Sequence, residues 1–281
     1  MEAGARGALS PLRYSARFST PSTRDAVSAL YAYADEIQAI LNQSRSPDTR
    51  LLKLGYWQRE LAQAQCGSAQ HPLARALAKN LTPALFSHPD LAQVIECAQR
   101  EGEYAGRFSA TAFLDLLAGE WGAPLRLAAD VQGASGTASA HFATTIGLAW
   151  GLTERLQHIG LTFRRRPEEL SSLMALGSVT VDAERDAGRK VVFAEDAFQG
   201  AVAALYETAL SHYEQAFALW PKVRQRALYS HIVLARLGRT LLSELAASRD
   251  ILLQAQVLLP QRRLSTTAWR CLVFMRLFGR P

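Results

Sequence analysis

Apolar positions along this chain recur at spacings of three and four residues, while the alternation that marks a half-buried strand is scarce. The stretch "STPSTRDAVSALYAYADEIQAILNQ" opens with Pro and Ser/Thr, a suitable N-terminal cap, and predicts a helix of roughly five turns. "SPDTRLLKLGYWQRELAQAQ" starts on Ser-Pro-Asp and runs amphipathically to Gly67. "HPLARALAKNL" and "HPDLAQVIECAQREGEYA" each place Pro in a first turn, where its missing N–H costs nothing. Ser109 to Gln157 holds at least two further helices, broken near Val131–Ser139. "RRPEELSSLMAL" predicts a shorter helix, and "VTVDAERDAGRKVVFAED" a loop with room for one short strand. From Phe198 to Leu259 the pattern gives two or three long helices punctuated at Pro221, and "TTAWRCLVFMRLF" gives a last one. Without repeats or a Gly/Ser/Pro-rich linker, the pattern predicts one all-α domain over residues 21–281, with a partly flexible leader over 1–20.

Composition narrows the class. The chain has 281 residues, 49% of them hydrophobic and 20% charged, enough to bury a sizeable core. No apolar run reaches the ~18 residues expected of a membrane span. A net charge of +6 suits anionic partners: diphosphates, anionic lipid or RNA. No nucleic-acid module accompanies it, which ranks nucleic acid low among the partners. The three cysteines, Cys66, Cys97 and Cys271, are far apart and form no CxxC. They fit a reducing compartment, the cytoplasm of a bacterium or the mitochondrial matrix of a eukaryote. The first residues contain Arg and Ser and few acids, which leaves open a short frayed leader or an organellar presequence. P-loop, GxGxxG, G-x-S-x-G and H-E-x-x-H signatures are all absent from the sequence.

Several segments fall together in one order. "TPSTRDAVSALYAY" (Thr20–Tyr33) resembles the "LPxxxRxAxxALYAF" opening helix of the squalene/phytoene synthase family. "KLGYWQREL" (Lys53–Leu61), "HPLARALA" (His71–Ala78) and "RFSATAFLDLLAGEWG" (Arg107–Gly122) are similar to successive helices of that family. "IGLAWGLTERLQHI" (Ile146–Ile159) resembles "LGxAxQLTNILRDI", and the segments Leu205–Pro221 and Arg262–Phe278 resemble the terminal helices. The resemblance implies an isoprenoid-synthase bundle around an apolar cavity, with two aspartate-rich helices facing each other across its mouth. In active members those carboxylates hold Mg²⁺ ions against a departing pyrophosphate, whose charge needs hard oxygen-ligated cations.

At those positions this chain lacks acids. Ungapped alignment of "ALYAY" puts the first motif on Gln38, Ala39 and Asn42, and the second falls on His158 and Thr162. Glu154 stands where the family has Asn. Asp182 and Asp186, followed by Gly188-Arg189, imitate "DxxxDxxxGR" locally but lack the preceding "QLTN" pattern, and read as a loop decoy. A repurposed metal site would draw on Asp35, Glu36, Glu154 and His158, since His and carboxylate together take Zn²⁺ or Mn²⁺. A solvated mouth with a hydrogen-bonded His is the plainer reading. Arg24 and the run Arg164, Arg165 and Arg166 are candidates for phosphate, and the alternative for each is a surface charge. The tail "WRCLVFMRLFGRP" is apolar and basic, suited either to packing on the bundle or to an anionic membrane surface.

The resemblance therefore implies a non-catalytic family member without a cofactor, similar to the branch that includes the mitochondrial complex I assembly factor with a phytoene-synthase-like domain. Such a chain is expected to act as a scaffold or accessory subunit, with an isoprenoid or acyl chain held in the old cavity. The competing expectation is a Mg²⁺-dependent prenyl-diphosphate condensing transferase with displaced ligands.

Overall fold

A computed structural model describes residues 10–44, 46–104, 108–165, 195–247 and 261–278. Among them are α1 (Pro11–Ser15), α2 (Arg24–Gln43), α3 (Pro47–Gln65), α4 (Pro72–Asn80), α5 (Pro83–Phe86) and α6 (Pro89–Tyr104). There follow α7 (Ala110–Leu117), α8 (Ala123–Val131), α9 (Thr137–Arg165), α10 (Glu195–Val223), α11 (Tyr229–Ala247) and α12 (Gln261–Phe278). No strand occurs among the described residues, so the expected all-α bundle is what forms. The short helix and strand expected between residues 165 and 196 lie almost wholly outside the described residues.

Helix starts follow the local chemistry. Ser46 Oγ accepts the Thr49 N–H ahead of Pro47, and Ser109 Oγ accepts the Ala112 N–H. At both His-Pro starts the imidazole is the cap: His71 Nδ1 accepts from Leu73 N–H and His88 Nδ1 from Asp90 N–H. The break expected near Val131–Ser139 falls between α8 and α9, where Gly133 and Gly136 have φ of 81° and 122°. Side chains rarely tolerate those values, so glycine allows the chain to reverse there. Pro221 sits within the last turn of α10, which ends two residues later at Val223.

α9 runs through the middle of the bundle, against α8, α10 and α11. Its Phe142, Ile146, Ala149, Leu152, Leu156 and Ile159 are buried. α2 buries Val27, Leu30, Tyr31, Tyr33, Ala34, Ile37 and Leu41 against α4, α6 and α8. Residues 10–19, inside the stretch expected as a leader, also pack: Leu12, Tyr14, Ser15 and Ala16 are buried, and α1 lies on α11.

One local distortion positions the site. Between α7 and α8 the helix widens into a π turn, Ala118–Gly122. Such turns add a residue to a helical face and recur at functional sites. This one lies on α9, where two glycines admit it. A Cβ at Gly147 would stand 2.6 Å from Gly122 Cα, and one at Gly151 would stand 2.6 Å from Trp121 Cδ1. Backbone therefore meets backbone. Trp121 packs edge-on to Trp150 with centroids 6.2 Å apart, and Glu120 is carried fully into the interior.

Candidate functional site

On α2, Asp35, Gln38 and Asn42 lie three and seven residues along one helix face, the spacing of a common stripe. Across from them α9 presents Glu154, Arg155 and His158. The two stripes join directly: Asn42 Nδ2 donates to Glu154 Oε1 at 2.9 Å. The same Glu154 oxygen lies 3.0 Å from His158 Nδ1, one turn further on. A second bridge uses the π turn. Gln38 Nε2 donates to Glu120 Oε2 at 3.1 Å, and Arg155 donates to that oxygen at 2.7 Å. Arg155 also reaches Glu101 of α6 at 2.8 Å. Four elements thus meet in one polar network, and Gln38, Glu120, Glu154 and Arg155 are all buried.

Burial and neighbouring charge fix the protonation states. Burial pushes the Glu120 carboxyl far above the usual carboxylate range, and Glu101 beside it pushes the same way. Arg155 and the Gln38 amide, bonded to the same Glu120 oxygen, oppose that rise, and Glu101 and Glu120 share the one guanidinium. Burial opposes the charge of Arg155, but Glu101, Glu120 and Glu154 more than offset it and keep the guanidinium charged. Burial alone would raise Glu154, yet the His158 imidazole holds it below its ordinary value. His158 shows the mirror effect: burial lowers it, and the Glu154 carboxylate raises it overall. The network then sets three carboxyl groups, Glu101, Glu120 and Glu154, against two basic side chains, Arg155 and His158, with burial biasing Glu120 toward its neutral form.

Asp35 is handled separately. Its Oδ2 accepts from Arg13 Nε at 2.8 Å and from Ser10 Oγ at 3.2 Å, tying the segment before α2 to the edge of the network. Burial lifts its carboxyl to about 6, against the opposite pull of Arg13, and nearby Glu154 adds to the rise.

The sequence candidates are distributed as follows. Gln38, Asn42, His158, Glu154 and Asp35 come together. Ala39 and Thr162 are half-buried and supply no acid, and Glu36 is half-buried on another face of α2. Arg24 is exposed at the first residue of α2, roughly 20 Å along the helix from Gln38 at 1.5 Å per residue. Arg164 and Arg165 end the backbone of α9, while Arg166, Asp182 and Asp186 lie outside the described residues. Glu101, Glu120, Arg155 and Arg13 escaped sequence reasoning. A signal did exist for two of them: Glu120 and Arg155 are charges set inside apolar helical faces, where an unpaired charge is too costly to keep.

The donor set does not fit a Mg²⁺–diphosphate cluster. Such a cluster needs several carboxylates with negative charge to spare. Here the motif positions offer two amides and an imidazole, and each nearby carboxyl, Asp35, Glu101, Glu120 and Glu154, already lies against a basic side chain. Among the described residues no three His, Cys, Asp or Glu side chains converge so as to hold a metal.

Comparison with known proteins gives a consistent result. The sequence pattern described as squalene/phytoene synthase matches residues 10–270. Among solved structures the chain is similar to the squalene synthase HpnC from Alicyclobacillus acidocaldarius, with a TM-score of 0.59 and 18% sequence identity. That match covers 83% of this chain and 87% of HpnC, and shows a shared all-α isoprenoid-synthase fold. No curated protein sequence matches the chain.

Proposed function

Given that the chain belongs to the squalene/phytoene synthase family, we propose that it is a non-catalytic member, serving as an assembly or accessory subunit of a protein complex. One observation carries this reading: the residues at the two motif positions are tied together through a network of paired acidic and basic groups instead of presenting free carboxylates. Catalysis in the family depends on charge that this network has already neutralised. The apolar interior does not depend on the acids, and we assign it an isoprenoid or acyl chain as ligand. The step from fold to assembly role is by analogy with aspartate-stripped relatives.

The competing reading is a Mg²⁺-dependent condensing transferase of prenyl diphosphates. It is favoured by the squalene synthase activity named for HpnC and by the Asp182-x-x-x-Asp186 sequence. One assay separates the two: Mg²⁺-dependent pyrophosphate release from farnesyl and geranylgeranyl diphosphate, run beside an active family member, with extracted lipids analysed. No release while the control turns over supports the non-catalytic reading. Release above background that Asp182→Asn and Asp186→Asn abolish establishes the transferase.

A further inference from the structure

The last helix carries a second chemistry, remote from the network. α12 buries Leu264, Ala268, Cys271, Leu272 and Met275, chiefly against α11. Its other face is unusual for a surface helix. Trp269 is 59% exposed, Val273 49% and Phe274 47%, and they share that face with exposed Arg270 and Arg276. Phe18, from the 3₁₀ turn Ala16–Phe18 near the start of the chain, meets Trp269 edge-on at 6.2 Å. Beside it, exposed Arg17 lies over the Tyr14 ring at 5.1 Å. Aromatic and aliphatic groups are therefore interleaved with arginines across two segments far apart in sequence.

Next to this face, α11 and α12 enclose a groove of about 510 Å³. Arg236, Thr240, Arg263, Thr266, Thr267 and Arg270 line it, with Phe274 at its edge. None of these lining residues is acidic. Arg263 pairs with Glu244 and Arg236 lies over the Phe217 ring at 4.4 Å, which places both guanidiniums at the groove wall. Threonine hydroxyls and guanidiniums together form the donor set that phosphate esters call for.

The geometry points to this face as a docking surface for an anionic phospholipid bilayer. The headgroup phosphate enters the α11–α12 groove, and Trp269, Val273 and Phe274 enter the interface between headgroups and acyl chains. Charge complementarity selects the occupant. An apolar patch with an acidic or neutral rim would suit a protein, whereas an arginine-rimmed patch with an exposed Trp suits a negatively charged lipid surface. No helix among the described residues is long and apolar enough to cross a membrane, so the contact is interfacial. This surface is independent of whether the former active site is catalytic.

The test uses the full chain in flotation assays with phosphatidylcholine vesicles, with and without about one-third phosphatidylglycerol, a mixture that supplies the anionic surface potential. Binding is expected only to the anionic vesicles, and is expected to fall as salt is raised. Arg270→Gln should weaken it about fivefold, the share of one arginine near a charged surface. Trp269→Ser should weaken it on the same vesicles, with the far-ultraviolet circular dichroism of both variants matching the parent protein. Binding to neither vesicle overturns the proposal, as does anionic binding that both variants leave intact. Full competition by inorganic phosphate at matched ionic strength also overturns it, because the groove would then take a free anion and not a membrane.

Discussion

Two buried polar clusters sit in this bundle, and they are built on different principles. One joins α8 to α11. Gln132 Nε2 donates to Ser230 Oγ at 3.1 Å, Ser230 lies 3.3 Å from His231 Nδ1, and His231 Nε2 is 2.8 Å from Leu125 O. Burial lowers His231 to about 4, so near neutral pH its imidazole is uncharged. Nε2–H then donates to the carbonyl, while Nδ1 accepts from the serine. The bonds are between neutral groups and no charge is buried, though Gln132 Oε1 is buried without a partner. The other cluster, spanning α2, α6, the π turn and α9, buries Glu120, Glu154 and Arg155 and half-buries Glu101 and His158 beside Gln38 and Asn42. A neutral cluster of the first kind would hold helices together at less desolvation cost. Charges persist in the second cluster at the positions that family resemblance aligns with the metal-binding motifs, and each acid there lies against a basic side chain of the chain itself.

That contrast can be broken most forcefully at Arg155. Arg155→Met leaves Glu101 facing Glu120 in the interior without a cation, and loss of one partner from a buried ionic cluster costs about 3–5 kcal/mol. Chemical denaturation would measure it. Glu120→Gln should cost far less, under about 1 kcal/mol, because a neutral amide of similar shape replaces a carboxyl that burial biases toward its neutral form. If Glu120→Gln proved as costly as Arg155→Met, the acid would be ionised and the charge balance wrong.

The next effect concerns the seam that holds the ionic cluster in place. Gly147→Ala drives a methyl into the Gly122 backbone, which cannot rotate aside as a side chain can. Overpacking of this kind costs about 1–3 kcal/mol, and the shift in denaturation midpoint reports it. In the neutral cluster, His231→Phe removes the imidazole hydrogen bonds to Leu125 O and Ser230, at about 0.5–1.5 kcal/mol each. Because His231 titrates only near pH 4, that cost should be the same at pH 6 and pH 8.

The smallest expected effect is a pH slope. Asp35 has a folded pKa of about 6, above its ordinary 3.8. Between those values the folded chain holds a proton that the unfolded chain has released. Stability from this group is therefore full below about pH 4 and is lost as pH rises through about 6. Asp35→Asn should flatten that part of the profile. His158, raised by Glu154, has the same sign at higher pH: its contribution is present below its ordinary 6.5 and is lost as pH rises through its higher folded value. His158→Gln should remove the decline on the alkaline side.

Much of the fold is legible in the sequence because it is local. Ser46-Pro47, His71-Pro72 and His88-Pro89 mark their helix starts through caps whose atoms lie within three residues. The positions of Gln38, Asn42, Glu154 and His158 on facing stripes follow from helical period and family resemblance. Their bonding partners do not. Glu120 enters the site only because a π turn shifts it onto α9, and that turn depends on Gly147 and Gly151, which lie 25 or more positions after Gly122. Arg155 falls within a segment that resembles the family, but its partner Glu101 lies on α6, 54 residues away. Arg13 lies in what the sequence suggests is a leader, yet it pairs with Asp35. Pairings of this kind depend on tertiary approach, to which spacing along one helix gives no guide.

On the proposed reading, the mouth between α2 and α9 neutralises itself and has no place for a Mg²⁺–diphosphate cluster. The thermal unfolding midpoint of the full chain tests it directly, measured with Mg²⁺ alone, pyrophosphate alone and both together, because any ligand of the folded state raises that midpoint. The account predicts the same midpoint with both as with either alone. A rise that requires both, and that Glu154→Gln abolishes, would contradict it and restore the mouth as a metal–diphosphate site.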